Sequence, residues 1–349
     1  MKYGLYYYKN TKVLGDDFWA YAQSLFYPHI DYLIDNTTIY KFKSKNDEMV
    51  ATIMSAFIEP MNHEWGFLPP SNILPLFVGS YFRSTMWEYL ENSIVQEYLR
   101  ANAPIGVRSR GNVERLKECN IKAFFSGCIT LTLPQMEKTS GNYICCVDVP
   151  DYVIDYVKKT VGDRFEIKVL THKIWQWNEE EQREHENASI DDRFKKVVRF
   201  LQIYANAHCV ITSRLHCALP CLTQHTPVLL TVPKDGEGIV DMNDRMGDFF
   251  ELFHMQYYED FMSDSITYDF ISPPANSDNW KKYRDDVDNY VRDFIERCEH
   301  GNAQINPVYT ETERLEQLTD ILETKVIQLK KVVDDKNRYI RKLTSGTKN

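Results

Sequence analysis

The stretch CVITSRLHCALPCL, residues 209–222, sets an arginine and a histidine two positions apart, where an apolar run turns into a helical pattern. Arg214 is a permanently charged planar donor fork, suited to phosphate or carboxylate, and His216 is an imidazole able to give and take a proton near neutral pH. Ser213 adds a hydroxyl at the same junction. A second stretch, IGVRSRG, places Arg108 and Arg110 at alternate positions behind an apolar strand, so strand geometry predicts that both point the same way. A third, Gly15-Asp16-Asp17, follows the first apolar run, and either carboxylate could cap the next helix or reach a cleft. Taken singly, each stretch also fits a plain structural role: solvated arginines, a capping acid, an arginine ion pair, a capping histidine. Taken together, arginines on strand-end loops followed by helix N-termini fit one anion site.

The elements that must position these residues follow from the apolar pattern. Strands are expected at 2–8, 30–34, 50–58, 74–78, 104–107 and 123–125, with helices at 16–26, 86–100 and 112–119. A second run begins near Asn142, with strands at 143–147, 167–171, 209–212 and 228–232 and helices at 151–161 and 191–207. Strand and helix in alternation indicate an α/β fold of parallel sheets flanked by helices. The expected division is 1–141, 142–301 and a linker with a C-terminal helix over 302–349. Ligands of such sheets bind beyond the carboxyl ends of strands, where all three polar stretches fall.

Composition narrows the partners. The 349 residues carry a net charge of −9, which excludes broad electrostatic binding to nucleic acid, so an anionic ligand must meet a local arginine cluster. No stretch approaches the roughly 20 apolar residues of a membrane span, and MKYGLYYYKNTK turns polar at once; a soluble cytoplasmic chain is expected. The eight cysteines sit mostly in apolar segments and read as buried thiols. His216, Cys217 and Cys221 lie close together, but zinc sites show a second pair of ligands at short spacing and none is visible, so no metal is expected. Near the C-terminus Leu315, Leu322, Leu329 and Leu343 hold one heptad position, with Lys325 and Lys336 interrupting the seam. That pattern predicts a coiled coil and a homo-oligomer, or a helix docked on a partner. The acidic first half and basic second half of the segment also allow peripheral contact with anionic lipid.

The stretch VITSRLHCALPCLTQHTPVLLT resembles the signature of the polysaccharide pyruvyl transferases: a strand, T-S-R-L-H, a small-residue helix and a strand opening with P-V. PIGVRSRGNVERLKECNIKAFFSGCITLTL is similar to the central G-x-R segment of that family, NDRMGDFFELF to its later R-x-x-D-[LF] helix, and LGDD to the G-D after its first strand. The resemblance covers roughly residues 1–300. It implies two Rossmann-like domains of the glycosyltransferase-B type facing a central cleft, the first on the acceptor side and the second on the donor side. It also implies transfer of a carboxyvinyl unit from phosphoenolpyruvate to a sugar, giving a pyruvate ketal, with no further cofactor. Arg214 would then bind the phosphate or carboxylate of the donor, Leu215 would set its backbone against the donor, and His216 would transfer the proton. Arg108 matches the family arginine and would be the second donor ligand. Arg110 has no counterpart, so its donor role, like that of Ser213, rests on position.

Many members carry a glycine-rich turn where this chain has MSAFIEPMNHEWGF, with Gly66 alone. Glu59, His63 and Glu64 there, with Asp16 and Asp17, are the acceptor-side candidates. The acceptor implied is a sugar of a capsule or exopolysaccharide, or of its lipid-linked precursor at the inner face of the membrane. Two other functions fit the same fold: a glycosyltransferase using a nucleotide-sugar donor with the same arginines, and a non-catalytic scaffold in glycan assembly. Arg214 and His216 standing together argue against the scaffold, since a degenerate site sheds such groups first.

Overall fold

Nearly continuous apolar runs become strands buried on both faces. A computed structural model of the chain describes every residue except 59–67, 88–89, 91, 140, 235–245, 305–307 and 346–349. In the first half β1 (Lys2–Tyr7), β2 (Tyr32–Asp35), β3 (Val50–Met54), β4 (Phe57–Ile58), β5 (Ile73–Phe77), β6 (Tyr81–Phe82), β7 (Ile105–Val107) and β8 (Ala123–Phe125) are all parallel to their neighbours. The main sheet has the order β2-β1-β3-β5, and β4 with β6 and β7 with β8 form two short pairs. A bridge from Ser80 to Val107 carries the edge of the main sheet on to β7.

The second half holds β9 (Tyr143–Val147), β10 (Glu166–Leu170), β11 (Cys209–Thr212), β12 (Val228–Val232) and β13 (His254–Tyr257), parallel in the order β10-β9-β11-β12-β13. Strands β3, β5, β9, β11 and β12 are buried at every position, as sheets covered on both faces require. Strand order reverses between β1 and β3 in one sheet and between β9 and β11 in the other, and such reversals open a crevice beyond the strand ends.

Among the described residues the helices are α1 (Leu14–Ser24), α2 (Ser93–Ala101), α3 (Arg110–Glu118), α4 (Asp151–Val161), α5 (Glu179–Asn187), α6 (Ile190–Asn206), α7 (Leu215–Thr223), α8 (Tyr258–Met262), α9 (Trp280–Glu299) and α10 (Glu311–Ser345). In α6, Phe194, Val197, Leu201 and Tyr204 recur at helical spacing and form its buried stripe, while Ser189 caps it by accepting from the amide of Asp192.

Helix α1 is the element that both halves share. One buried core runs through both sheets, and α1 lies within it through Leu14, Phe18, Trp19 and Ala22. Its polar edge bonds to the second half. Asp17, fully buried, accepts from Arg193 Nε at 2.8 Å and also from Nη2. Arg193 Nη2 further donates to the carbonyl of Tyr8 at 2.9 Å. His185 Nε2 stands 3.4 Å from the other oxygen of Asp17. Burial pushes the Asp17 carboxyl up to about 6, with Arg193 pulling it back down, and burial holds His185 down to about 4, so the imidazole is neutral. The amide of Leu14 donates to the carbonyl of His172 at 2.9 Å, and Val13 bridges Lys173.

Several expectations need correcting. Helix α1 starts at Leu14, and its cap residue Val13 makes no side-chain bond, so neither Asp16 nor Asp17 caps it. The strand expected over 50–58 breaks into β3 and β4, and the helix expected over 86–100 is shortened to α2, capped by Asn92. The later R-x-x-D stretch is a 3-10 turn over Gly247–Leu252, its first residues lying outside the described ones. Strand β13 and helices α5, α8 and α9 were not expected. All eight cysteines are unpaired and seven are buried. No described helix is long and apolar enough to cross a membrane.

The Asp17–Arg193 pair predicts a stability effect. Arg193→Met leaves a buried carboxylate without its cation and should cost about 3 kcal/mol in urea unfolding. The double variant Asp17→Asn, Arg193→Met should recover part of that loss. A single-variant cost below about 1 kcal/mol would mean that the pair behaves as a solvated one.

Candidate active site

The carboxyl ends of strands from both sheets converge on His216. Arg108 follows β7 and is 1% exposed, so a guanidinium that stays charged is held inside the protein. Three aromatic faces surround it: Trp19 of α1 at 4.8 Å, Phe57 of β4 at 4.9 Å and Tyr81 of β6 at 5.3 Å from the ring centres. Its Nη1 lies 3.1 Å from Nε2 of His216, in the first turn of α7. A guanidinium only donates, so Nε2 accepts and the single ring proton of the neutral imidazole sits on Nδ1.

Further groups against His216 come from the first half. The ring packs on Trp19 at 4.4 Å, and its Nε2 is 3.9 Å from Sγ of Cys128. The indole N–H of Trp19 donates to the same sulfur at 3.3 Å. Gly15 permits this approach, because a Cβ there would stand 3.0 Å from Nδ1 of His216.

Arg214 occupies the cap position of α7, and its Nε donates to Asp148 Oδ2 at 2.8 Å. Asp148 follows β9 in the left-handed backbone region, with φ of +53°. It also accepts from Thr171 Oγ1 at 2.6 Å and from the amide of His172 at 3.1 Å, while its carbonyl accepts from Ser213 Oγ at 2.7 Å. One buried carboxylate thereby ties together the loops after β9, β10 and β11. The Arg214 side chain remains 31% exposed. Leu215 opens α7 with its side chain buried.

Of the expected site residues, Arg108 and His216 meet directly, and Ser213, Arg214 and Leu215 stand beside His216 in the chain at the strand-order reversal of the second sheet. Arg110 does not join them. Ser109 caps α3 by accepting from the amide of Asn112, so the two-residue strand period ends before Arg110. Arg110 instead bonds Asp248 through its backbone amide at 2.6 Å and through Nη1 at 2.9 Å, and stacks on Phe125. Asp17 is bound to Arg193 in the interface rather than turned toward the site. Asp16 accepts from Thr11 Oγ1 at 2.6 Å, and burial pushes its carboxyl up to about 7 against that bond, while Arg108 pulls it down. Glu59, His63 and Glu64 lie outside the described residues.

Sequence reasoning missed Asp148, Trp19, Cys128, Phe57 and Tyr81. For Asp148 the signal was present, as a lone acid directly after the apolar run YICCV. Among the described residues no cluster of three or more His, Cys, Asp or Glu side chains is placed to hold a metal ion.

The Arg108 contact predicts the tautomer of His216. Long-range proton–nitrogen correlation spectra at pH 7.5 should show His216 with its proton on Nδ1. In Arg108→Met the ring should shift toward a mixture containing the Nε2 form. An Nε2-protonated ring in the parent protein would contradict the geometry.

No curated protein matches the chain at a significant level. A solved structure of a functionally uncharacterised protein from Klebsiella pneumoniae is similar at 11% identity and a TM-score of 0.40, over 73% of this chain and 92% of that one. Arg108 and the 213–216 junction both lie within residues 87–234, and it is this stretch that matches the model of the polysaccharide pyruvyl transferase family.

Proposed function

We propose that the protein is a pyruvyl transferase that moves a carboxyvinyl unit from phosphoenolpyruvate to a sugar of a surface polysaccharide or its lipid-linked precursor, closing a pyruvate ketal. In this reading residues 1–141 and 142–301 form two Rossmann-like domains of the glycosyltransferase-B type, on the acceptor and donor sides. The observation that supports it most is the 3.1 Å approach of Arg108 to His216, each at a strand end of a different half.

The chemistry accounts for these residue types. Phosphoenolpyruvate carries a carboxylate and a phosphate close together, and two arginines hold such a pair better than lysines do. Arg108 and Arg214 are those ligands, helped by the N-terminus of α7 and the backbone of Leu215. An anion that engages Arg108 draws its donor away from Nε2 of His216, and the ring can then take a proton. His216 delivers that proton to the methylene carbon as a sugar hydroxyl bonds to the central carbon and loses its own proton. The bond from the central carbon to the phosphate oxygen then breaks, and phosphate leaves with the electron pair. A second hydroxyl of the same sugar bonds to that carbon, and its proton leaves with phosphate. The products are one ketal and one inorganic phosphate, and no redox partner is required. Asp16, raised by burial to about 7, is suited to accept a hydroxyl proton.

Calorimetric titration tests the donor. Phosphoenolpyruvate should bind saturably and uridine and guanosine diphosphates should not; Arg214→Ala should weaken donor binding. His216→Ala should still bind the donor but turn over about 10²–10⁴-fold more slowly. Nucleotide binding in place of phosphoenolpyruvate would make the protein a glycosyltransferase instead.

The pH profile tests Asp16. A base must be ionised, so the acid limb of turnover should rise with pH through about 7, the position to which burial raises this carboxyl. Asp16→Asn should lower turnover and remove that limb while donor affinity is kept. An unchanged limb in the variant would reject the assignment.

A further inference from the structure

Helix α10 is fixed to the protein at its root only. Arg314 donates from Nη1 to the carbonyls of Tyr40 at 3.0 Å and Leu68 at 3.1 Å, Tyr309 donates to the carbonyl of Pro69 at 2.7 Å, and Leu318 is buried. Beyond that root Val326, Leu329 and Val333 are 46%, 63% and 54% exposed, a stripe of apolar side chains that this chain leaves uncovered. Leu315 on the same stripe is 51% exposed. A soluble protein rarely leaves such a row uncovered.

The heptad register makes this stripe a seam. With Leu315, Leu322, Leu329 and Leu343 at d, the a positions are Thr319, Val326, Val333 and Ile340. An apolar a/d repeat of this kind packs against a partner helix as a coiled-coil seam. Charge then sets the direction. Residues 311–327 hold five acids and two bases, and residues 328–345 hold six bases and two acids. A parallel pair would lay acid on acid and base on base, and would put Lys336 against Lys336 within the seam. An antiparallel pair lays the acidic half on the basic half. By heptad position alone, that arrangement aligns 326 with 329 of a second copy, 333 with 322, 340 with 315 and 336 with 319.

We infer that the protein self-associates through α10 as an antiparallel two-stranded coiled coil of residues 315–340, about 39 Å long at 1.5 Å per residue, with a second copy of this chain as the partner. The inference is independent of the reaction proposed above.

Sedimentation equilibrium of the full chain should give a mass of two 41.1 kDa chains. Val326→Asp with Leu329→Asp should reduce that to one chain. Direction is read by disulfide trapping, with the parent as control for its native cysteines. Leu315→Cys mixed with Ile340→Cys should yield a covalent dimer, and Leu315→Cys alone should not. A parent that stays monomeric across the accessible concentration range would overturn the inference, including one that instead sediments with vesicles containing anionic lipid. Self-trapping of Leu315→Cys would overturn the antiparallel direction.

Discussion

Burying the guanidinium of Arg108 is the constraint on which the surrounding structure depends. The group keeps its charge at any accessible pH, so the interior must meet it with negative faces and acceptors rather than neutralise it. Trp19, Phe57 and Tyr81 present ring faces, and His216 presents the lone pair of Nε2. These groups come from α1, β4, β6 and α7, four elements far apart in the chain, so Arg108 reaches its environment only when both halves are in place. Two glycines mark the tight points of that assembly. Gly15 leaves room for the imidazole, and a Cβ at Gly106 would stand 2.7 Å from the carbonyl of Phe77, which would push β7 off β5.

The interface that brings the halves together is both polar and apolar, and the two parts do different work. The shared core holds α1 against β1, α6 and α7 without specifying its rotation or register. The bonds from Asp17 to Arg193, from Leu14 to His172 and from Val13 to Lys173 supply that specification, because each is satisfied in one placement of the helix only. His172 extends the network inward, its Nε2 2.6 Å from the hydroxyl of Tyr204 and its ring stacked on Phe18. Burial holds this imidazole down to about 4, so it is neutral near pH 7 and keeps its bond to Tyr204 as an uncharged ring.

Parts of this were legible in the sequence for physical reasons that can be named. The 209–216 junction could be read because a buried parallel strand is an unbroken apolar run, and four polar or charged positions at its end stand out. The alternation of β11, α7 and β12 needs only that contrast. Arg110 was misread because strand periodicity was carried past the strand; Ser109, a good cap residue, ends it one position earlier. Asp17 was misread because its partner is 176 residues away, and local pattern has no access to that distance. Strand β13, His254–Tyr257, escaped because an edge strand with half-buried residues lacks the apolar run that marks the interior ones. The aromatic ring around Arg108 escaped for the same reason as Asp17, since each face reads locally as an ordinary core residue.

The two arginines that the site does assemble are unlike in a way that bears on the proposed reaction. Arg108 is enclosed and its geometry is set by the fold, whereas Arg214 is tethered through one edge to Asp148 and is 31% exposed. An enclosed cation held by the fold stabilises charge that develops at one place. A tethered cation at the surface can follow a group that departs. On the proposed reading the enclosed Arg108 suits the carboxylate, which stays bonded to the reacting carbon throughout, and Arg214 suits the phosphate, which leaves. The contact between Arg108 and His216 then places the proton donor beside the end of the donor that does not move.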